Sequence, residues 1–593
     1  MAYKFVTLTP SQIDQRRHQL DLAGWHAWLS PVILLLSIYI YRQILSPFII
    51  GPLADYSRYS TTTSGGGSTT CRYLGNLLHR VSWTLQSTYI REFGPLSVQM
   101  VGAMYLAWLL YLVFRDTGED YMHLTKAFGH VAVSQLPWHY LLSVKSGSGA
   151  AARSSFPGGL VGLVGVATGL SHERVNAYHR LLGRMVHGLL GVHAVMYIRF
   201  FVGMGVMEKR IRDRDVRLGL AAFWTVNLLG LLSLPVVRRR VYYRGFYRSH
   251  VVLSAVLPVL VYWHVPYKSV RWFAVQVGVI WLVAGLMRWK ASETAIVRCE
   301  EVEGTDGQLV RVKLGVSKES ALARGKPGQH VYVHRGSGSG RALEVKAKNP
   351  FTIVRVRDAA GDGKEGMEVL LVVRNLGGPG TDWTAEMART EETAEVRVEG
   401  PYGEAGEYME DMLSASAREA VLLVAGGVGA TYTIPIYMAL FDSGRQSDGK
   451  RKKLKMIWLV RTLADAAWGI EILQSRNGDV EVDVAVFITG LDGMVQGDRE
   501  KLSAAAIPGL KIHALGRRPD INPVIDSFFE TSAASAVNEL RSERPTGAAD
   551  EVAVFVCGPP SLSNDVRKVV GRHVIEKGRR VRWMEEVFGF GGS

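Results

Sequence analysis

Seven apolar runs mark the first half of the chain: Trp25–Ile44, Leu96–Phe114, Leu124–Val144, Tyr178–Phe201, Leu218–Val237, His250–Val265 and Val270–Trp289. A bilayer's hydrocarbon core is crossed by roughly 20 residues of helix, so these runs predict seven membrane spans. An eighth stretch, FPGGLVGLVGVATGL (Phe156–Leu170), is apolar but short and glycine-rich, and reads as a re-entrant or interfacial piece. The tract Ser60–Thr70 reads as a flexible loop. Beyond about residue 290 the period changes. AIVRCEEV, LVRVKLGV, QHVYVHR, FTIVRVR, EVLLVVRN and AEVRVEG, between Ser292 and Tyr402, are short alternating strands that predict a small antiparallel barrel. From about Arg418 the order is strand, glycine turn, helix: AVLLVAGGVGATYTIPI (Ala420–Ile436), then LKMIWLVRT (Leu454–Thr462) and VAVFVCGPP (Val552–Pro560). The expected fold is therefore an α-helical membrane bundle followed by a β-barrel domain and an α/β domain. Its expected boundaries are 1–120 for an N-terminal segment with two helices, 121–290 for the rest of the bundle, 291–405 for the barrel and 406–593 for the α/β unit.

Composition changes this picture little. A chain of 593 residues with net charge +15 raises the question of nucleic acid. Yet the arginines cluster beside apolar runs, as in VVRRRVYYRGFYRSH (Val236–His250), and no aromatic-basic nucleic-acid module occurs, so nucleic acid is not an expected partner. Positive-inside topology accounts for the charge: the loop with Arg238, Arg239, Arg240, Arg244 and Arg248 is placed in the cytoplasm. The C-terminal half then lies in the cytoplasm and the N-terminus outside. The loop MEKRIRDRDVR (Met207–Arg217) falls outside although it is net positive, against the rule. Three cysteines, Cys71, Cys299 and Cys557, are too few and scattered for a disulfide framework or zinc site. The first 24 residues have no signal-peptide core, so the first apolar run is expected to remain as a helix.

Ionisable side chains inside a span are costly and mark function. His179 and His193 are fourteen residues apart, which at 100° per residue brings them back to within about 40° of one helix face, about 21 Å apart. His250 and His264 repeat the spacing two helices later. Two helices with two histidines each on one face can clamp two groups at two depths, and haem iron with paired axial imidazoles fits. On this topology His179 and His250 form the inner pair, His193 and His264 the outer. His187 lies off that face and has no counterpart, and His130, His139 and His172 have no repeated partner; all four read as structural. Arg180 and Arg184 are placed for inner haem propionates or for snorkelling to the surface.

In the α/β unit, bare glycine at Gly426, Gly427 and Gly429 lets a pyrophosphate reach a helix N-terminus, with Thr431 in the first turn. Arg461 follows the second strand, where a cation favours the 2′-phosphate of NADP. Cys557 ends a strand on the side where ligands bind such sheets; alone it would read as a core thiol. In the barrel, NPFTIV (Asn349–Val354) and EGPYG (Glu399–Gly403) are each weak signals.

Together and in this order, the motifs resemble the fungal ferric reductase family, within the superfamily of NADPH oxidases and related to ferredoxin–NADP reductases. TGLSHERVNAYHRLLGR (Thr168–Arg184), followed by the paired histidines, carries the resemblance most specifically. The resemblance implies a ferredoxin–NADP reductase-like module. Asn349, Pro350, Phe351, Thr352, Gly400 and Tyr402 would serve FAD; Gly426, Gly427, Gly429, Thr431, Arg461, Gly558 and Pro559 would serve NADPH; Cys557 would lie by the nicotinamide. The end EEVFGF would set Phe588 or Phe590 against the flavin ring. Asn349 departs from the family, whose motif starts with His; an amide hydrogen-bonds but carries no proton.

The expected activity is NADPH-dependent ferric-chelate reduction. Electrons pass from NADPH to FAD, then through two b-type haems to an external ferric or cupric chelate, in support of iron uptake with possible partner proteins. The expected setting is the plasma membrane or the vacuolar membrane, with the nucleotide domains cytosolic. The alternatives are an oxidase that makes superoxide, and a polytopic channel or receptor with a degenerate reductase module.

Overall fold

The computed structural model describes residues 3–45, 68–90, 93–144, 163–170, 172–240, 242–335, 349–359, 366–375, 381–403, 420–446, 453–475, 481–491, 507–541 and 551–586, with 405, 409, 412 and 413. Among these, six helices are long and apolar enough to cross a membrane. α1 (Pro10–Ile40) starts at a capping box in which Thr9 and Gln12 satisfy each other's backbone N–H groups. α2 (Ser68–Ser87) follows, then α3 (Leu96–Phe114). The expected span Leu124–Val144 is two helices, α4 (Tyr121–Ser134) and α5 (Leu136–Leu141). Proline in the first turn of α5 cannot donate to the preceding turn, which is why α4 stops there. Gln135 fills the break, donating to Ala27 O at 2.8 Å and accepting from Tyr105 Oη at 2.5 Å. The bundle is completed by α6 (Leu163–Thr168), α7 (His172–Gly203), α8 (Arg214–Ser233), α9 (Tyr242–His264) and α10 (Lys268–Lys290). Of the glycine-rich stretch read as a re-entrant or interfacial piece, residues 163–170 fall within the described residues and 156–162 lie outside them.

Contacts fix which helix ends lie together. Lys4 N–H donates to Glu119 O, Phe5 packs on Tyr121 and Phe200, and Ser269 Oγ donates to Asp21. The N-terminus therefore shares one end of the bundle with the loops at 115–121, 203–217 and 264–270. α10 leads from that end to the other, and the barrel begins two residues after it, at Ser292.

The barrel is closed, in the order β1 (Ser292–Glu301), β2 (Leu309–Val316), β5 (Met367–Arg374), β4 (Asn349–Asp358), β3 (His330–Arg335) and β6 (Thr393–Tyr402), antiparallel throughout. Every second residue fills it: Val297, Val310, Leu314, Val369, Leu371, Val396 and Val398 are essentially inaccessible. The α/β unit is a six-stranded parallel sheet in the order β10 (Leu510–Ala514), β9 (Val484–Ile488), β8 (Leu454–Val460), β7 (Ala420–Gly426), β11 (Glu551–Cys557) and β12 (Arg580–Glu586). Its central strands are buried on both faces, as the continuous apolar runs require. α11 (Asp382–Thr390) precedes the last barrel strand; α12 (Ala430–Gln446) follows β7, α13 (Ala464–Gln474) follows β8, and α14 (Asn522–Arg541) and α15 (Pro560–Ile575) flank β11. Strand order reverses between β7 and β11, which opens the crevice where such sheets bind ligands.

Candidate functional site

Both histidine pairs stand on α7 and α9, one pair toward each end of the bundle. The ring centroids of His179 and His250 are 6.5 Å apart at 67°. Two imidazoles on one metal, each bonded at about 2.0–2.1 Å, have centroids a little over 6 Å apart, so this spacing suits a shared ion. The second ring nitrogen discriminates further. His179 Nδ1 is hydrogen-bonded to His139 O at 2.9 Å, His193 Nδ1 to Thr125 O at 2.7 Å and His264 Nδ1 to Asp215 O at 2.7 Å. His250 Nδ1 is 3.5 Å from Ser233 Oγ. Each ring thereby presents Nε2 as its remaining lone pair, the arrangement that outer partners impose on ligating histidines. His187 is the reverse: its Nε2 is the bonded atom, 3.1 Å from Asn227 Oδ1. His130 binds Lys126 O in its own helix through Nδ1.

Glycines make room for these rings. A Cβ at Gly129 on α4 would lie 2.7 Å from the His193 ring, and one at Gly219 on α8 would lie 2.5 Å from the His264 ring. His139, read from the sequence as structural, stacks on His179 with centroids 4.1 Å apart and 5° between planes. Sequence reasoning missed it, together with the carbonyls of Thr125 and Asp215, because these partners act across helices and leave no local period. Arg184 lies 4.3 Å over the Phe93 ring, so part of its charge is spent on an aromatic face. Among the described residues no group of three or more metal-ligating side chains occurs. Paired axial imidazoles require only two.

The barrel motif lies at the start of β4, where Thr352 pairs with His330, and Phe351 with Val331, on β3. Thr352 is buried and Phe351 half-buried. The backbone of Asn349 pairs with Val333; its side chain falls outside the described residues. Tyr402, at the end of β6, is buried and donates to Glu399 at 2.7 Å. Burial and the Glu399 charge push its phenol pKa up, and Arg288, at the inner end of α10, opposes that rise. The barrel starts two residues after α10 ends, so it stands at the end of the bundle that holds His179 and His250. Gly400 has φ +146, outside the range of ordinary side chains.

At the sheet's switch point the two glycine-bearing turns touch. A Cβ at Gly426 would lie 2.8 Å from Pro559 Cδ, one at Gly558 3.0 Å from Gly426 N, and one at Gly429 would collide with the Cys557 carbonyl. Gly427 adopts φ +54, which its lack of Cβ permits, and its carbonyl accepts from Trp458 Nε1 at 2.9 Å. Thr431 turns inward, and its hydroxyl donates to Val428 O at 2.9 Å. Arg461 is exposed immediately after β8. Cys557 is buried, and desolvation followed by the charges of Glu586 and Glu585 pushes its thiol pKa well up. Both effects favour the neutral thiol over the thiolate. Glu586, ending β12, comes within 3.9 Å of His330 on the barrel. The chain leaves the described residues there; Phe588 and Phe590 fall beyond them.

Two family models match. Residues 128–261 match the ferric reductase like transmembrane component, and residues 418–571 the ferric reductase NAD binding domain. A probable cell surface ferric reductase, kap2, of Aspergillus oryzae is 25% identical, over 61% of this chain and 47% of the relative. Ferric reductase transmembrane component 6 of Saccharomyces cerevisiae is 21% identical, over 70% of this chain and 55% of the relative. A probable metalloreductase, AIM14, of Scheffersomyces stipitis is 22% identical, over 82% and 85%. The chain thus spans about half the length of the first two relatives and most of the third.

Proposed function

The chain belongs to the ferric reductase family, an integral membrane protein with a nicotinamide-nucleotide domain, and from that premise we propose that it is an NADPH-dependent transmembrane metalloreductase. It takes electrons from cytosolic NADPH through FAD and two b-type haems and delivers them to a ferric or cupric chelate outside. The observation that carries this reading is the set of four histidines whose Nδ1 atoms have hydrogen-bond partners and whose Nε2 atoms have none among the described residues.

His179 with His250 would hold the inner haem, and His193 with His264 the outer. The barrel segment Pro350–Thr352 with Gly400 and Tyr402 would hold the flavin, with Phe588 or Phe590 against its ring. Bound there, flavin accepts a hydride and releases single electrons, and haem carries single electrons across the bilayer. The protein's own part is positioning. The turn at Gly426, Gly427 and Gly429 offers backbone N–H groups to a pyrophosphate. Gly558 and Pro559 close the crevice, and the protonated Cys557 borders the nicotinamide without attacking it. Residues 203–217 and 264–271 hold seven Lys and Arg against three carboxylates, and Arg210 and Arg212 engage all three of those. The loop at 115–121, at the same end, is net acidic, so these two loops are the positive part of the outer face and the part that draws anionic chelates. Such a role accounts for a positive loop on the side where topology disfavours one.

Two measurements test the reading. NADPH-driven reduction of an external ferric chelate is expected to persist in the presence of superoxide dismutase. Suppression, with superoxide formed in proportion to NADPH consumed, would assign the protein to the oxidases instead. Arg461, exposed beyond β8, is expected to bind the 2′-phosphate, so Arg461→Asp should cut the preference for NADPH over NADH by about tenfold or more, the scale of one charge-assisted contact. Equal use of NADH by the unaltered protein would sink that assignment. The plasma or vacuolar membrane, and iron-uptake partners, are the setting this activity implies.

A further inference from the structure

The helix α2 lies between two membrane helices in the sequence and packs both on α3 and on the nucleotide domain at the far end of the sequence. Its residues divide cleanly. Gly75, His79, Trp83 and Gln86 recur at helical spacing on one face, while Leu77, Leu78 and Val81 occupy another. On the first face Trp83 is buried to 8% exposure among residues of the sheet's outer layer, edge-on to Trp583 at 5.7 Å. Gly571 of α15 gives it room: a Cβ there would lie 3.1 Å from the Trp83 Nε1. Val581 N–H, on the free edge of β12, donates to His79 Nε2 at 3.2 Å. Arg567 of α15 donates to Gln86 O at 3.0 Å. Burial, with Arg580 adding to it, lowers the His79 pKa below its ordinary value, so the imidazole is neutral and able to accept.

On the second face Leu77, Leu78 and Val81 are 43%, 61% and 47% exposed. Three such residues together on a water-facing helix are unfavourable. Ile90 and Phe93, and Met100, Val101 and Met104 on the membrane helix α3 that follows, are exposed apolar residues as well. The connection is stiff: Tyr89–Ile90 pairs with Gly94–Pro95, and α3 begins at the next residue. Phe93 in turn lies under Arg184 of α7, the helix with His179 and His193.

We propose that α2, with Tyr89–Ile90 and Gly94–Pro95, forms an interfacial strap: α2 lies in the inner membrane surface with Leu77, Leu78 and Val81 in lipid, and clamps the β12 edge of the nucleotide domain to the bundle. One face is a small amphipathic membrane anchor. The other covers a sheet edge that would otherwise be open to pairing. The strap joins α7 to the nucleotide domain through Arg184, Phe93, Trp83 and Trp583, so it fixes where the reductase module stands beneath the inner histidine pair.

The test uses the full chain in lipid nanodiscs and in detergent, with Trp83→Ala on the domain face and Leu77→Gln/Leu78→Gln on the lipid face. Hydrogen exchange is followed at residues 75–90 and 580–586, beside NADPH-driven reduction of the bound haem and of ferricyanide added to the cytosolic side. Trp83→Ala is expected to speed exchange at both segments at least tenfold and to slow haem reduction, with ferricyanide reduction unaltered. The lipid-face variant folds whatever its role, since its residues are exposed. It should loosen 75–90 in nanodiscs but not in detergent. Unchanged exchange at 580–586 in Trp83→Ala overturns the clamp, as does a parallel fall in both rates. Equal behaviour of the lipid-face variant in nanodiscs and detergent means another part of the chain covers that face, and overturns the lipid contact. Failure of the metalloreductase reading is distinct: it would leave the exchange results standing while no external chelate is reduced.

Discussion

Replacing His193 or His264 by Ala is expected to remove the outer haem alone, halve the bound haem and abolish reduction of external chelate. The two residues stand on different helices, and neither helix repeats the other's surroundings. His193 is held by Thr125 O and has Gly129 against its ring; His264 is held by Asp215 O and has Gly219 against its ring. If both present Nε2 to one iron, either substitution leaves a single axial ligand, and the two variants should lose the same absorbance. The inner pair, about 21 Å away along each helix, is untouched. NADPH would then still reduce the inner haem, and the block would appear only at transfer outward. His187→Ala is the control: its Nε2 is already committed to Asn227, and its loss should leave haem content unchanged. Full haem content in both His193→Ala and His264→Ala would refute the four-ligand assignment. Loss on His187→Ala would show that the committed ring had been misread.

How much of this was legible in the sequence follows from how local each signal is. The spacing of His179 to His193 and of His250 to His264 lies within single helices, so a fixed period displays it. The barrel's six strands and three of the sheet's six, β7, β8 and β11, announce themselves because a strand's burial pattern also repeats locally, every residue or every second one; β9, β10 and β12 were not read from the sequence. Elements that depend on distant partners were not legible. The break at Gln135 looked like the middle of an apolar run, because Leu136, Pro137 and Trp138 are themselves apolar; Pro137 was the signal available. His139 gains its role only by stacking on a ring forty residues away. α2 was overlooked because the tract before it is Ser-, Thr- and Gly-rich and its apolar face has just a few residues. Their spacing, Leu74, Leu77, Leu78 and Val81, was nevertheless helical. Arg184 was read as a partner for haem propionates or as snorkelling to the surface, and it lies over Phe93, a ring no pattern placed beside it.

Gly429→Ala is expected to suppress NADPH-dependent reduction about 100-fold, the loss that follows from displacing reacting groups by an ångström. The reasoning begins with strand order. β7 and β11 are neighbours in the sheet, and their turns leave in opposite senses at the carboxyl edge. The turn after β7 must pass directly over the end of β11, and it does so on glycine: a methyl group at Gly429 would overlap the Cys557 carbonyl oxygen and carbon and crowd its sulfur. The overlapped atoms are backbone in the middle of a buried sheet, with Val556 and Phe555 fully inaccessible behind them. β11 therefore has nowhere to retreat, and the turn must lift. Lifting moves the N-terminus of α12, which would present its N–H groups to the pyrophosphate, away from Cys557, which would border the nicotinamide. One methyl group thus acts on both ends of the nucleotide at once, raising KM and lowering kcat together. The barrel reaches this turn on its outer side, where a Cβ at Gly427 would lie 3.7 Å from Arg374 Nη1, so flavin content is measured alongside the kinetics; haem absorbance should be unchanged, and dithionite should reduce the haem as before. Wild-type kinetics with NADPH in this variant would mean that the nucleotide does not lie across the junction of β7 and β11.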